Sequence, residues 1–289
     1  MNDYSIRMLN GNDIRIYEEM DTGIEDDYIV RIFDRLTEGR SEMYGLFKGD
    51  RLVSTAGYTL FAGCYAMLGR LRSDRNYRGR SYATTLMKYV KEQALSQPHI
   101  RWVGGNTEEQ NSPARHVLAN IGLEQQAVLQ IAAADRVNDL ASGEAPWRQI
   151  TDEKKKRLWL QETFLESGRI FPYECYYPFP ADEALFGREN LSKWRFYENS
   201  SGTRYMLTKI DTKDRTYLHV IYPWQDYREQ HGLWETVAAE QVRSENELQE
   251  TLQIWLDIQD AGALPENHPF ELRSRWTLYG SNNFGIKEV

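Results

Sequence analysis

Gly69-Arg-Leu-Arg-Ser-Asp-Arg-Asn-Tyr77-Arg78-Gly79-Arg80-Ser81-Tyr82-Ala83-Thr-Thr-Leu86, then Ile100-Arg-Trp-Val-Gly-Gly105, then Asn111-Ser-Pro-Ala-Arg-His-Val-Leu118-Ala-Asn-Ile-Gly122-Leu123, is the stretch that decides the fold. It reads as a strand, an arginine-rich turn opening a helix, a second strand, and a second helix with a polar start. Small residues stand where the first helix begins. Unpaired backbone N–H groups and the positive end of the helix dipole favour an anion there. Arg70, Arg72, Arg75, Arg78 and Arg80 crowd the same turn. A basic helix start in a chain of net charge −8 points to a phosphate-bearing ligand.

Working outward, Tyr4–Leu9 reads as an opening strand, and Asp13 to about Arg40 as helical material. Met43–Lys48 and Leu52–Phe61 form a hairpin about Gly49-Asp50-Arg51, and Cys64–Arg72 is the next strand. Ser81 to about Leu95 is a helix, Ile100–Gly105 a strand, Ser112–Ile121 a helix and Gln126–Ala134 a strand. The order is that of a mixed α/β domain. A chain of 289 residues accommodates two domains. No apolar run approaches the ~20 residues a bilayer demands, and Met1-Asn2-Asp3-Tyr4 does not begin a secretory signal, so the expected setting is cytoplasmic. The two cysteines, Cys64 and Cys175, are too far apart for a metal spacing or a disulfide framework. The negative charge argues against a nucleic-acid surface and suits a cationic acceptor.

The element order and motifs resemble the GNAT superfamily of acyl-CoA-dependent N-acyltransferases. The family's pyrophosphate loop has the form [Q/R]-x-x-G-x-[G/A]. Here Arg78 fits the first position, Ser81 replaces the glycine and Ala83 fits the last. The later helix of the family reads N-x-x-A-x-x-x-Y-x-x-x-G-F, matched by Asn111, Ala114, Leu118, Gly122 and Leu123. The resemblance implies a mixed, mostly antiparallel sheet flanked by helices, with acetyl-CoA as cosubstrate. Arg78, Gly79, Arg80, Ser81, Tyr82 and Ala83 would cradle its pyrophosphate, and Leu71, Arg72 and Ser73 would pair with its pantetheine arm. A backbone N–H there would hold the developing oxyanion, and Asn111 would lie near the pantetheine. Asn111-Ser112 is equally a helix cap.

Direct attack by an amine needs a proton acceptor. Glu108 and Glu109, past the central strand, are the candidate bases. The family's thiolate-protonating tyrosine is here Leu118, leaving Tyr82 and His116 as nearby substitutes. His116 lies two residues before Leu118, so on a helix it points to another face. The catalytic assignment is therefore Glu108 and Tyr82. The expected activity is N-acetyl transfer to an amine-bearing small molecule or peptide; the alternative is a catalytically weak CoA-binding or regulatory protein. No nucleic acid, membrane or metal is expected.

Ala141-Ser-Gly-Glu-Ala-Pro146 reads as a linker, giving domains 1–141 and 146–289. The second half echoes the first in order, so a tandem with a second, α+β GNAT-like domain is expected. Trp147–Ile150 reads as a strand, Asp152–Leu165 as a helix, and Phe171–Pro180 as an aromatic loop suited to lining an acceptor pocket. Strands follow near Trp194–Tyr197, Arg204–Ile210 and Tyr217–Tyr222. Trp234–Val242 reads as a further strand, Ser244–Asp260 as a helix opened by a capping box, and Phe270–Tyr279 as the closing strand. On that assignment no room remains for a phosphate-binding helix, and no R-x-x-G-x-[G/A] occurs after residue 145. The second half would then support the first, cover the acceptor cleft or mediate homodimerisation.

Overall fold

The computed structural model describes residues 4–281; the chain start at 1–3 lies outside them. Packing divides the chain into two compact units. One comprises residues up to Ala127 and again from Thr277, the other is Val128–Trp276. Among the described residues no helix is long and apolar enough to cross a membrane.

The first unit follows the expected order. It contains β1 (Ser5–Met8), α1 (Ile14–Glu18), α2 (Tyr28–Arg31), α3 (Phe33–Thr37), β2 (Ser41–Lys48), β3 (Arg51–Phe61) and β4 (Tyr65–Ser73). After these come α4 (Tyr82–Ser96), β5 (Trp102–Glu108), α5 (Ser112–Asn120) and the start of β6 (Glu124–Ala134). The 13–40 segment is three short helices rather than continuous helix, with Gly23 in the left-handed region among the breaks. Strands β1 to β4 pair antiparallel in order, whereas β4 and β5 are parallel with α4 as the crossover. Strand β2 is buried on both faces because helices cover both. Tyr44 and Leu46 pack with Leu86, Met87 and Val90 of α4 and with Val117 and Leu118 of α5. Met43 and Phe47, on the alternate positions, pack with Tyr17, Ile29 and Phe33.

The last strand, β14 (Glu271–Gly280), returns to this unit, where it neighbours β5. The Ser281 N–H donates to the Val103 carbonyl at 2.9 Å. Residues Thr277–Gly280 thus complete the first unit, and the 141–146 stretch lies inside the second.

The second unit holds β7 (Arg148–Ile150), α6 (Glu153–Leu160), β8 (Ile170–Glu174), β9 (Tyr177–Pro180), α7 (Arg188–Lys193), β10 (Arg195–Glu198) and β11 (Tyr205–Thr212). It continues through β12 (Thr216–Ile221), α8 (Leu233–Leu248) and β13 (Gln253–Ile258). Its strand order is β6-β13-β12-β11-β10-β7, antiparallel except for the parallel β12 and β13.

Two sequence assignments are corrected here. Trp234–Val242 is helix, not strand, and Ser244–Asp260 is the end of that helix followed by a strand. Leu233, Trp234, Val237, Glu240, Gln241 and Ser244 are buried at helical spacing. Ser244 does not cap anything; its hydroxyl meets Glu240 and Arg195 within the helix body. Ile254, Leu256 and Ile258 alternate with Trp255 and Asp257, a period of two. The β12-α8-β13 crossover therefore repeats β4-α4-β5, and the helix thought to have no room is present.

The 171–180 loop is likewise corrected to a two-stranded hairpin, β8–β9, turning at Tyr176 with φ +69°. An isolated pair of strands tolerates Pro172 opposite Pro178, since both strands are edges. Phe171 and Phe179 are fully buried. The Phe171 ring lies 4.9 Å from Phe186 and stacks on Trp194 at 5.5 Å. Phe171 and Phe179 of this run are core of the second unit rather than the wall of an open pocket.

Candidate active site

In the first unit, β4 and β5 pair from Tyr65↔Trp102 to Leu68↔Gly105 and then part. β4 continues to Ser73 and β5 to Glu108, so two strand ends diverge with a gap between them. A bulge sharpens the divergence. The β3–β4 register slips between Thr55↔Arg72 and Gly57↔Gly69, and Arg70 takes φ +57°. The Thr55 and Ser54 hydroxyls donate to the Arg70 and Arg72 carbonyls at 3.3 and 2.7 Å, pinning the bulged arm to β3. Leu71, Arg72 and Ser73 lie on that arm beyond the last β5 partner.

The turn after β4 is anchored by Asp74, which is fully buried. Its carboxylate accepts from the Asn76 N–H at 2.9 Å and from Arg51 at 2.9 Å. Burial alone would raise this carboxyl; the Asn76 N–H and the Arg51 guanidinium outweigh it and hold it below the usual range. From this anchor the chain runs through Arg78, Gly79 (φ +75°) and Arg80 to Ser81, which sits at φ +60° and does not cap α4 with its side chain. The first-turn N–H groups of a 15-residue helix are thus left to another acceptor. A Cβ on Gly79 would meet nothing within 4 Å, so the loop faces open space.

The arginines divide by partner. The Arg72 guanidinium makes a buried two-pronged pair with Asp27, at 2.7 and 2.9 Å, and its Nη1 also donates to the Leu71 carbonyl of the arm at 3.1 Å. Asp27 also accepts from Tyr17 at 2.7 Å. Burial would raise the Asp27 carboxyl, but Arg72, Tyr17 and the Ile29 N–H together hold it low. Arg75 lies against Asp21 at 3.5 Å. Arg78 reaches the Thr22 carbonyl at 3.0 Å, and Arg80 lies over the Tyr77 ring at 5.4 Å, both exposed.

On the opposite arm, Asn111 caps α5, its side-chain oxygen accepting from the Ala114 N–H at 3.2 Å. Gly122 ends the helix in the left-handed region, with the Leu123 N–H donating to the Leu118 carbonyl at 3.2 Å. Glu108 is exposed at the end of β5. Tyr82 is half-buried in the first turn of α4, edge-on to Tyr4 at 6.2 Å. His116 is exposed and bonded to Asn120 at 2.8 Å. Leu118 is buried over Gly105, at the point where the strands part.

Sequence reading missed Tyr279. Its hydroxyl accepts from Arg115 Nε on α5 at 3.1 Å, while Arg115 Nη1 donates to the Glu109 carbonyl at 3.0 Å. Nothing local signals this, because the two residues are 164 positions apart. A cavity of about 370 Å³ also opens in this unit, beside Ile16, Glu19 and Arg51, but its lining includes neither strand arm.

In the second unit a small pocket lies at the ends of β12 and β13, lined by Ile221, Tyr222, Asp257 and Gln259. Strand β12 ends at Ile221, one residue past its last partner pair Val220↔Leu256, and Pro223 follows. Gly232 rather than a basic small-residue loop leads into α8.

No curated protein matches this sequence. Two solved structures resemble it over nearly its whole length. A protein of Thermoplasma acidophilum described as an acetyltransferase aligns with 96% of this chain and 99% of its own, at 16% identity and a TM-score of 0.53. A GCN5-related N-acetyltransferase from Sphaerobacter thermophilus aligns with 97% of this chain and 96% of its own, at 14% identity and a TM-score of 0.57. At these identities the likeness concerns the fold, which is the tandem mixed α/β arrangement expected from the sequence. The sequence model of the Acetyltransferase (GNAT) family matches residues 13–123, which span both strand arms, the turn into α4 and α5. With its diverging parallel strands and uncapped crossover helix, the 13–123 segment is a GNAT acetyltransferase domain.

Proposed function

We propose that this protein is an acetyl-CoA-dependent N-acetyltransferase acting on an amine-bearing small molecule or peptide by direct attack in a ternary complex. The observation that carries the reading is the parting of β4 and β5 after Leu68 and Gly105 beside the uncapped start of α4. In this reading the N–H groups of Gly79–Ala83 take the pyrophosphate, with Arg78 and Arg80 supplying charge-assisted hydrogen bonds. Small residues and left-handed backbone at Gly79 and Ser81 allow that approach. Leu71–Ser73 pair with the pantetheine, and an N–H of this arm polarises the thioester carbonyl. Asn111 serves as the α5 cap and borders the pantetheine.

Glu108 is assigned as base, taking the amine proton directly or through water. As the nitrogen attacks, the carbonyl carbon becomes tetrahedral, the C–S bond breaks and the thiolate departs. Tyr82 is assigned to protonate it. Tyr279, whose hydroxyl accepts from Arg115 of α5, stands as its competitor for that role. The acyl-CoA domain is the 1–141 segment completed by the last strand, and the segment from 146 is a GNAT-like repeat without a CoA loop. A cytoplasmic setting, self-association and the absence of nucleic-acid or membrane partners belong to the same reading.

One observation favours the weaker alternative, a CoA-binding protein with little turnover: Leu118 fills the phenol position with a buried hydrocarbon. A thermal melt with and without acetyl-CoA, followed by thiol release with an amine panel, separates the readings. Binding at 100 times Kd adds ~2.7 kcal/mol, roughly 5–10 °C for a chain of this size. A shift with thiol release supports the enzyme, and a shift without it for any amine supports the binding protein. No shift with acetyl-CoA or CoA removes both.

A further inference from the structure

One face of the second unit's sheet carries a polar stripe beside the buried Ile131, Tyr217 and Trp255. Lys209 and His219 are directly opposite on β11 and β12, Asp211 is opposite Tyr217, and Asp257 follows Trp255 on β13. The turn of the β8–β9 hairpin covers this stripe and lowers Cys175 onto it. Cys175 and His219 are both fully buried, and Asp211 is largely so. The Cys175 sulfur, an Asp211 carboxylate oxygen and a ring nitrogen of His219 lie within 4.8 Å of one another.

The hydrogen bonds leave a gap in this cluster. His219 Nε2 is taken by Asp257 at 2.8 Å, and Nδ1 is buried with no partner. A buried ring nitrogen left unsatisfied costs free energy, and the structure supplies no hydrogen bond to offset it. Asp211 is fixed by the Cys175 N–H at 2.6 Å and by Lys213 at 3.2 Å, but Lys213 has a shorter bond to Glu174 at 2.7 Å to fall back on. Of the other cations facing the stripe, Lys209 is held among the Phe171, Tyr173 and Trp194 rings at 5.2 to 5.8 Å, and Arg273 lies over the Trp255 ring at 6.0 Å and donates to Gln253 at 2.8 Å. Asp257 also lines a small pocket with Leu129, Ile170, Pro172, Ile221 and Gln259.

We propose that Cys175 Sγ, His219 Nδ1 and Asp211 form a binding site for a divalent transition metal, Zn²⁺ by its ligand chemistry, in the second unit. Thiolate and imidazole donors select zinc over magnesium or calcium. A thiolate and a carboxylate together neutralise its charge, and the thiol proton leaves to solvent on binding. Three protein ligands leave a fourth position for water. The Asp257 to His219 bond is the carboxylate–histidine support that metal-bound imidazoles use, fixing Nδ1 as the free donor. Ligand bonds of ~2.0–2.3 Å require the three atoms to draw in by about an ångström.

The test is Co²⁺ titration of the reduced, chelator-treated, tag-free full chain. One equivalent should bind with a thiolate-to-cobalt band in the near ultraviolet, displaced by Zn²⁺. The band should persist in Cys64→Ser and vanish in Cys175→Ser, and Asp257→Asn should weaken zinc roughly 10–100-fold. Zinc X-ray absorption on the loaded wild-type protein needs no variant and should show one sulfur at ~2.3 Å with nitrogen or oxygen at ~2.0 Å. A wild-type protein without the band, a zinc spectrum without the sulfur, or a band lost in Cys64→Ser and kept in Cys175→Ser overturns the proposal.

Discussion

Leu118 of α5 lies so close to Gly105 of β5 that a Cβ on the glycine would stand 2.8 Å from Leu118 Cδ2 and 3.2 Å from Cδ1. The glycine is there because the leucine occupies the space above it. The contact lies where β4 and β5 cease to pair, so it sets how α5 seats against the mouth of the cleft.

Gly105→Ala should therefore cost about 1–3 kcal/mol by overpacking, and Leu118→Ala about 2–5 kcal/mol by leaving a cavity. The double variant should cost clearly less than the sum, because each change relieves the other. Urea unfolding of the four proteins measures this, and strict additivity would show that the two side chains do not compete for one space.

Ser81 holds a left-handed backbone at φ +60° without capping its helix. Ser81→Gly should stabilise the protein by about 1 kcal/mol through relief of that conformation. Affinity for CoA should be kept or improved. A melt showing destabilisation would mean that the serine hydroxyl makes a contact worth more than the strain.

Placing negative charge on the same turn should do the opposite. Arg78→Glu with Ser81→Asp should weaken CoA binding at least tenfold, a loss of about 1.4 kcal/mol or more. Calorimetric titration with CoA checks it; an unchanged affinity would remove the pyrophosphate assignment.

The Asp27–Arg72 pair predicts a pH dependence. Asp27's folded pKa lies below its unfolded value of ~3.9, so its contribution is full above about pH 4 and is lost as the pH falls through the folded value. Asp27→Asn strands a largely buried guanidinium and should cost about 3–5 kcal/mol at pH 7. The gap to wild type should narrow towards pH 2. Urea midpoints across that range test it, and a constant gap would assign the cost to packing alone.

For catalysis, Glu108→Gln should lower turnover while leaving acetyl-CoA affinity intact. Tyr82→Phe and Tyr279→Phe separate the two phenols, since only the proton donor should reduce turnover with CoA thiol as leaving group. If neither does, the thiolate leaves unprotonated, as the burial of Leu118 allows.

The first domain was legible because its signals are local. Gly49-Asp50-Arg51 makes a hairpin, Leu86, Tyr89 and Val90 make a helical stripe, and Asn111 with Gly122 bracket a helix by capping chemistry that acts within a few residues. Gly79, Ser81 and Ala83 announced a helix start fit for an anion before any tertiary contact was known.

The second half misled where one local signal imitated another. Ser244-Glu-Asn-Glu247 has the letters of a capping box yet sits inside α8, where Glu240 and Arg195 occupy the serine hydroxyl. Leu248, Leu252 and Leu256 fit a helical repeat, but β13 begins between them, because pairing with β12 and β6 rewards a period of two. Phe171–Pro180 looked like a pocket lining from composition, and its Phe171 became core because Trp194 and Phe186 meet it from elsewhere in the chain.

The sequence by itself thus determined the strand-turn-helix that opens the cleft and the residue types at its phosphate end, since propensity, capping and left-handed turns are decided over a few residues. Only the tertiary structure decided that the Arg72 side chain is spent on Asp27, that Tyr279 joins Arg115, and that Cys175, Asp211 and His219 converge. Each of these brings in a residue 36 or more positions away in the chain, through strand pairing, hairpin cover and buried charge. No local preference encodes such a meeting, because its free energy exists only after the backbone has brought the partners within reach.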